Sequence, residues 1–302
     1  MRGPAAKRPP GSELAKGLNR VPLATCITLT VLFGPTADAD LRVHESRYYI
    51  IRTDLSPQRA ADIGHLMDAT GKEYAERFRG FRGVVRRKPT VKVYATREAY
   101  LAAVARACGE PNVNARGIHC TADDMVYTYD GDHLDATLKH ECFHQFAHFV
   151  VGGALPPWLN EGLAEYFEEG VFDEKTSRLT LGATPAWRVA LLRAARGKQA
   201  LFPIDRLMSL ARTEWNDNMQ DDRGVVQYSE AWLLCHFLIH AEQGKFRPHF
   251  ETFLRHLDQG LDGDTAFKRV FGNDTAVLEE RLGEYLAGLR PTDADAKDGN
   301  RQ

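Results

Sequence analysis

His140-Glu141-Cys142-Phe143-His144, followed by Pro156-Pro157-Trp158-Leu159-Asn160-Glu161-Gly162-Leu163-Ala164-Glu165-Tyr166-Phe167-Glu168, is the stretch on which the reading of this chain turns. Asp132 can cap a helix that runs to about Val151, with Gly152-Gly153 ending it. Along an α-helix four residues advance about 6 Å and return to the same face, so both imidazoles can reach one metal ion. Glu141, one residue on, points beside that ion, where a carboxylate can take a proton from a bound water. The same spacing also suits two ordinary histidines on the polar side of a buried helix, so the context has to decide.

A catalytic zinc needs a third protein ligand and an open position. Pro156 and Pro157 suit the start of a second helix and Gly170 its end. On that helix Glu161, Glu165 and Glu168 share one face. Carboxylates stacked in this way repel one another unless a cation or hydrogen-bond donors sit opposite. A solvated acidic face is the simple reading for Glu168 and Glu169, but it is less natural for Glu161, which follows a tryptophan and a leucine.

With its Trp-Leu-Asn-Glu-Gly-Leu-Ala-Glu-Tyr-Phe-Glu continuation, the HExxH stretch resembles the gluzincin metallopeptidases. The likeness is closest to the exported bacterial peptidase-MA-like domains, most of which lack an assigned substrate, and it extends over residues 46 to 288. It implies one Zn(2+) ion held by His140, His144 and Glu161, with Glu141 as general base acting on a peptide or protein substrate. In gluzincins a carboxylate four residues beyond the third ligand can accept the N–H of the first histidine. Glu165 occupies that offset and is favoured, with Glu168 as competitor. Tyr228 opens a segment, Gln227 to Leu238, that looks like the helix following the active site in the peptidase-MA-like group. Its phenol could stabilise an oxyanion, or it could be a packing tyrosine. Tyr127 and Tyr129 alternate on the strand before the zinc helix. The resemblance makes that strand the edge that pairs with a substrate backbone, while a plain reading makes them half-buried strand aromatics. No Gly-x-Met-Glu-Asn motif precedes the helix, so aminopeptidase activity is not carried over. Ala147 and Val150 stand where metzincins need Gly and His. His236 and His240 read as structural.

Outward from this centre, Tyr48 to Thr53, Pro89 to Ala95, Gly117 to Cys120 and Met125 to Tyr129 read as strands. Ser56 caps a helical pattern, Arg97 to Ala107 is a short helix, and beyond Asp132 the pattern is helical almost throughout. The expected fold is α+β. A mixed α/β lobe with a small sheet (40–131) precedes a mainly helical lobe (132–290) and an unstructured tail (291–302), and the resemblance puts the zinc site between the lobes, as in thermolysin. Cys108 and Cys120 flank a Gly/Pro/Asn-rich loop and are expected to form a disulfide, whereas Cys142 and Cys235 sit in apolar helical runs as free thiols.

The first 39 residues carry a basic region, an apolar run from Val21 to Phe33, and Ala37-Asp38-Ala39, the three parts of a secretory signal peptide cleaved near Ala39/Asp40. The apolar run continues past Cys26, which argues against lipidation there. Export to the periplasm or medium follows, with no transmembrane anchor in the mature chain. The 302 residues hold 39 Lys/Arg against 41 Asp/Glu, so no basic excess exists to draw nucleic acid. Two rival readings remain open at this point: a zinc-binding protein without turnover, against which the intact Glu141 argues, and a zinc hydrolase of non-peptide amide bonds such as cell-wall crosslinks.

Overall fold

A computed structural model describes residues 41–109, 113–151, 155–220 and 223–292, all within one compact unit, Ala37–Gln302. The expected signal peptide, the Gly152-Gly153 terminator and all but the first two residues of the expected tail lie outside the described residues. Strands β1 (Arg42–Glu45) and β2 (Ile50–Thr53) form an antiparallel hairpin, and helix α1 (Pro57–Arg77) carries the chain to β3 (Thr90–Tyr94), parallel to β2. Helix α2 (Arg97–Cys108) is followed by β4 (Gly117–Cys120) and β5 (Met125–Tyr129), giving a sheet in the order β1-β2-β3-β5-β4. The remaining described chain is helical apart from a small hairpin: α3 (Leu134–Val150), α4 (Pro157–Glu168), β6 (Val171–Asp173), β7 (Arg178–Thr180), α5 (Ala186–Gly197), α6 (Ile204–Ser209), α7 (Arg212–Asp217), α8 (Arg223–Gly244), α9 (Arg247–Asp258), α10 (Gly263–Phe271) and α11 (Ala276–Gly288).

The period-2 alternation of the strands sorts side chains onto two faces. Val91, Val93 and Val126 join the main core, which runs without a break from Ile51 in the sheet to Leu286 in α11. Tyr94, Cys120 and Tyr127 point the other way and pack with Tyr100, Ala103 and Val104 of α2. The change from strands to helices near residue 131 is therefore not a break in packing.

Ser56 accepts from Arg59 N–H and Pro57 occupies the first turn of α1, so this helix starts as the sequence requires. Helix α3 departs from expectation. Its N-cap is His133 rather than Asp132, and no side chain caps it. Its start is instead held by backbone bonds, Leu134 N–H to Gly131 O and Thr137 N–H to His133 O. Strand β1 was not foreseen, because Arg42, His44 and Glu45 give it no apolar alternation and it lies at the sheet's edge.

Candidate metal centre

Helix α3 packs against β4 and β5 of the sheet and against α4. Helix α4 is seated by two features of its own sequence. Trp158, 1% exposed, stacks on Phe253 of α9 with ring centroids 6.0 Å apart. Gly162 lets α4 approach α8 closely, since a Cβ there would meet the Ala231 carbonyl oxygen at 2.4 Å. The neighbouring residue, Glu161, is thereby carried to the histidines of α3.

The rings of His140 and His144 stand 4.8 Å apart. Glu161 Oε2 lies 3.7 Å from His140 Nε2 and 3.4 Å from His144 Nε2. Donors held about 2.0–2.1 Å from a tetrahedral ion are roughly 3.3–3.4 Å from each other, so the two distances from Glu161 to the imidazoles are close to those a small divalent cation would need. Two imidazoles and one carboxylate are a donor set suited to zinc. Burial works to raise Glu161, but the adjoining histidines hold it well below the usual carboxylate range.

Behind the trio, His140 Nδ1 contacts Glu168 Oε2 at 2.9 Å. An ionised carboxylate only accepts, so Nδ1 carries a proton toward Glu168. Burial would lower His140, but the hydrogen bonds from its ring to Glu161 and Glu168 outweigh it and raise it well above the ordinary value. Glu168, half-buried and bonded to that ring, is held down to about 2. The favoured Glu165 does not take this role. Its nearer oxygen is 3.9 Å from Nδ1, and Oε2 is claimed by Arg188, which also binds Glu169. Burial raises Glu165 despite that guanidinium. Lys139, donating to Gly170 O, ties α3 to the end of α4.

Glu141 Oε2 accepts the backbone N–H of His119 at 2.9 Å. Gly117, two residues earlier on β4, makes that approach possible, because a Cβ there would meet Thr137 Cγ2 at 2.4 Å. These contacts overturn the expectation for Tyr127 and Tyr129. Both lie on β5, which is paired on one side with β3 and on the other with β4, so no peptide can add to it. Their side chains also face α2 rather than α3: Tyr127 donates to Asp123, and the Tyr129 ring packs on Tyr100. The outer strand beside α3 is β4.

Tyr228 of α8 is half-buried against Trp215, with ring centroids 5.3 Å apart. Burial raises its phenol, and the nearby Glu161 carboxylate adds to the rise. A cleft of about 440 Å³ opens beside the trio, with His119, His144, His148, Asn160 and Arg212 among its walls. Arg212 donates to Glu161 Oε1 at 2.8 Å, leaving Oε2 toward the imidazoles. Burial lowers His119 to about 4, with His144 and His148 adding to the effect.

Sequence reasoning missed both arginines. Arg212 stands in no motif. Arg188 had a signal, since it shares a helical row with the buried Leu192 and Ala195, and an arginine in an apolar row implies a buried carboxylate partner. Cys108 and Cys120 form the expected disulfide, joining the end of α2 to the end of β4, and Cys142 and Cys235 are free and buried. Among the described residues no helix is long and apolar enough to cross a membrane. No curated protein matches the chain. Residues 135–256, from α3 through most of α9, are similar to a family described as "Protein of unknown function (DUF1570)".

Proposed function

We propose that this protein is an exported zinc metallopeptidase of gluzincin type. The observation that supports it most is the convergence of His140 Nε2, His144 Nε2 and Glu161 Oε2, all within 4.8 Å of one another, with Glu141 on the same helix as the histidines. Zinc, when bound by these three residues, supplies a Lewis acid for the scissile carbonyl and brings the pKa of its water to near 7. Glu141 takes the proton from the attacking water and returns it to the leaving amine. Tyr228 donates its phenol hydrogen to the oxyanion as charge develops. Glu168 holds the His140 Nδ1–H and so fixes the tautomer that ligation needs. An extended substrate pairs with the open edge of β4, where the His119 N–H now bonded to Glu141 is the first available donor. The disulfide and the N-terminal basic, apolar and Ala-x-Ala pattern support export.

The test is elemental analysis of the mature protein combined with proteolysis of a mixed peptide library. One zinc per chain and cleaved peptides are expected. Glu141→Gln should keep the zinc while kcat falls about 10²–10⁴-fold, the usual contribution of a general base. A parent protein loaded with zinc that cleaves no peptide would overturn the peptidase reading and favour a binding protein or a hydrolase of other amides.

A further inference from the structure

A second cavity, of about 470 Å³, shares no lining residue with the metal cleft. Its walls come from the end of α5, the connection to α6, and from α6, α8 and α11, and are largely apolar, with Leu201, Phe202, Leu233, Leu282 and Leu286 among them. Glu230 of α8 is the exception. It is 6% exposed and lines this space. Its two oxygens differ: Oε1 accepts the Phe202 N–H at 2.9 Å, while Oε2 is buried without any hydrogen-bond partner. A buried oxygen without a partner is costly, and a ligand that pairs with it recovers that cost.

Four ionisable side chains face the cavity: Glu230, Glu279, Glu280 and Arg196. Arg196 spends a donor on the Gly283 carbonyl, and Glu279 and Glu280 are exposed on α11. The balance is acidic, and the walls offer hydrocarbon contact that a hydrated metal ion would not use. We infer that this cavity binds an organic ammonium ion with an apolar body, which donates an N–H to Glu230 Oε2.

Glu230 sits two residues after Tyr228, roughly 200° further around α8, so the ligand and the peptidase chemistry occupy different sides of one helix. Burial pushes the Glu230 carboxyl up to about 8, the Phe202 N–H opposing and the Glu279 charge adding to the rise. Burial thus favours the neutral acid, and an entering ammonium displaces its proton to solvent.

The experiment is calorimetric titration of the mature protein with phenethylamine and with 2-phenylethanol, which has the same shape and no charge. The amine should bind at least tenfold more tightly than the alcohol. Its affinity should rise about tenfold per pH unit from pH 6 to 8 and then level off, because binding is linked to loss of the Glu230 proton. At pH 7 the heat should vary with the buffer's ionisation enthalpy, and Glu230→Gln should abolish both the preference for the amine and the pH slope. Equal affinity for amine and alcohol, a flat pH profile in the parent protein, or no binding of either compound would overturn the inference. None of these readouts depends on zinc or peptide cleavage, so the result stands apart from the peptidase assignment.

Discussion

Two helices of this protein each carry histidines four residues apart: α3 at His140 and His144, and α8 at His236 and His240. The ring separations are almost the same, 4.8 Å and 4.5 Å. Their surroundings are opposite. On α8 the nitrogens are spent on neighbours: His236 Nδ1 meets Tyr285 OH at 2.6 Å, His236 Nε2 meets Gly182 O at 3.2 Å, and His240 Nε2 meets Tyr166 OH at 2.9 Å. No carboxylate forms an ion pair with either ring among the described residues, and burial lowers both to about 4. On α3 both Nε2 atoms face a shared carboxylate, and another carboxylate holds His140 from behind. Spacing alone makes a candidate. What converges on the free nitrogens makes a site.

The contrast fails if the two pairs respond alike to mutation. Glu161→Ala removes the carboxylate that the α3 nitrogens share, and is expected to abolish metal binding and turnover together. His240→Ala should leave metal content at the parent level. Elemental analysis of both variants decides the matter, and loss of metal from the His240 variant would break the comparison.

Tyr228 lies on the same helix as the structural pair, so its hydroxyl tests whether α8 also contributes chemistry. Tyr228→Phe should lower kcat roughly 10²–10³-fold, with KM and zinc content almost unchanged. Wild-type kcat on a cleaved peptide would return the residue to packing alone.

Acid should act on the α8 pair through folding. His236, 3% exposed, takes up a proton at about 4 in the folded chain and near 6.5 when unfolded. Between those values the unfolded chain binds the extra proton, so stability present above pH 6.5 is lost as pH falls toward 4. The loss from His236 is about 3 kcal/mol, and replacement by Gln should flatten this part of a urea-denaturation profile between pH 4 and 7.

The smallest effect separates two carboxylates on one helix face. Glu168→Ala should weaken zinc about 10–100-fold in a chelator competition. Glu165→Ala should leave zinc affinity near the parent's and lower the melting temperature instead, because Arg188 loses one of its two buried partners.

That last pair also marks where sequence reading ends. The period of the α-helix was enough to put His140 and His144 on one face, whereas Glu161 was named by the resemblance and is carried to them by the packing of α4. The choice between Glu165 and Glu168 was made by Arg188, 23 residues beyond Glu165. Local spacing put both glutamates on the right face and could not see which one a distant cation would claim. The strand order posed the same difficulty. Tyr127 and Tyr129 alternate correctly, but only the pairing of β4 with β5 shows that β5 is interior. Helix α3 began without the cap that Asp132 suggested, because backbone bonds at Gly131 and His133 sufficed.

The close seat of α4 at Gly162 has a consequence for measurement. Any side chain there would need the 2.4 Å gap to the Ala231 oxygen to open to at least 3.4 Å, a displacement of about 1 Å. Metal–ligand distances hold to within about 0.2 Å. Glu161 rides on the same turn, so such a shift exceeds the coordination tolerance about fivefold. If the proposed zinc site is correct, zinc occupancy becomes a sub-ångström gauge of how two helices are assembled, and a packing fault at Ala231 should register first as a missing ion.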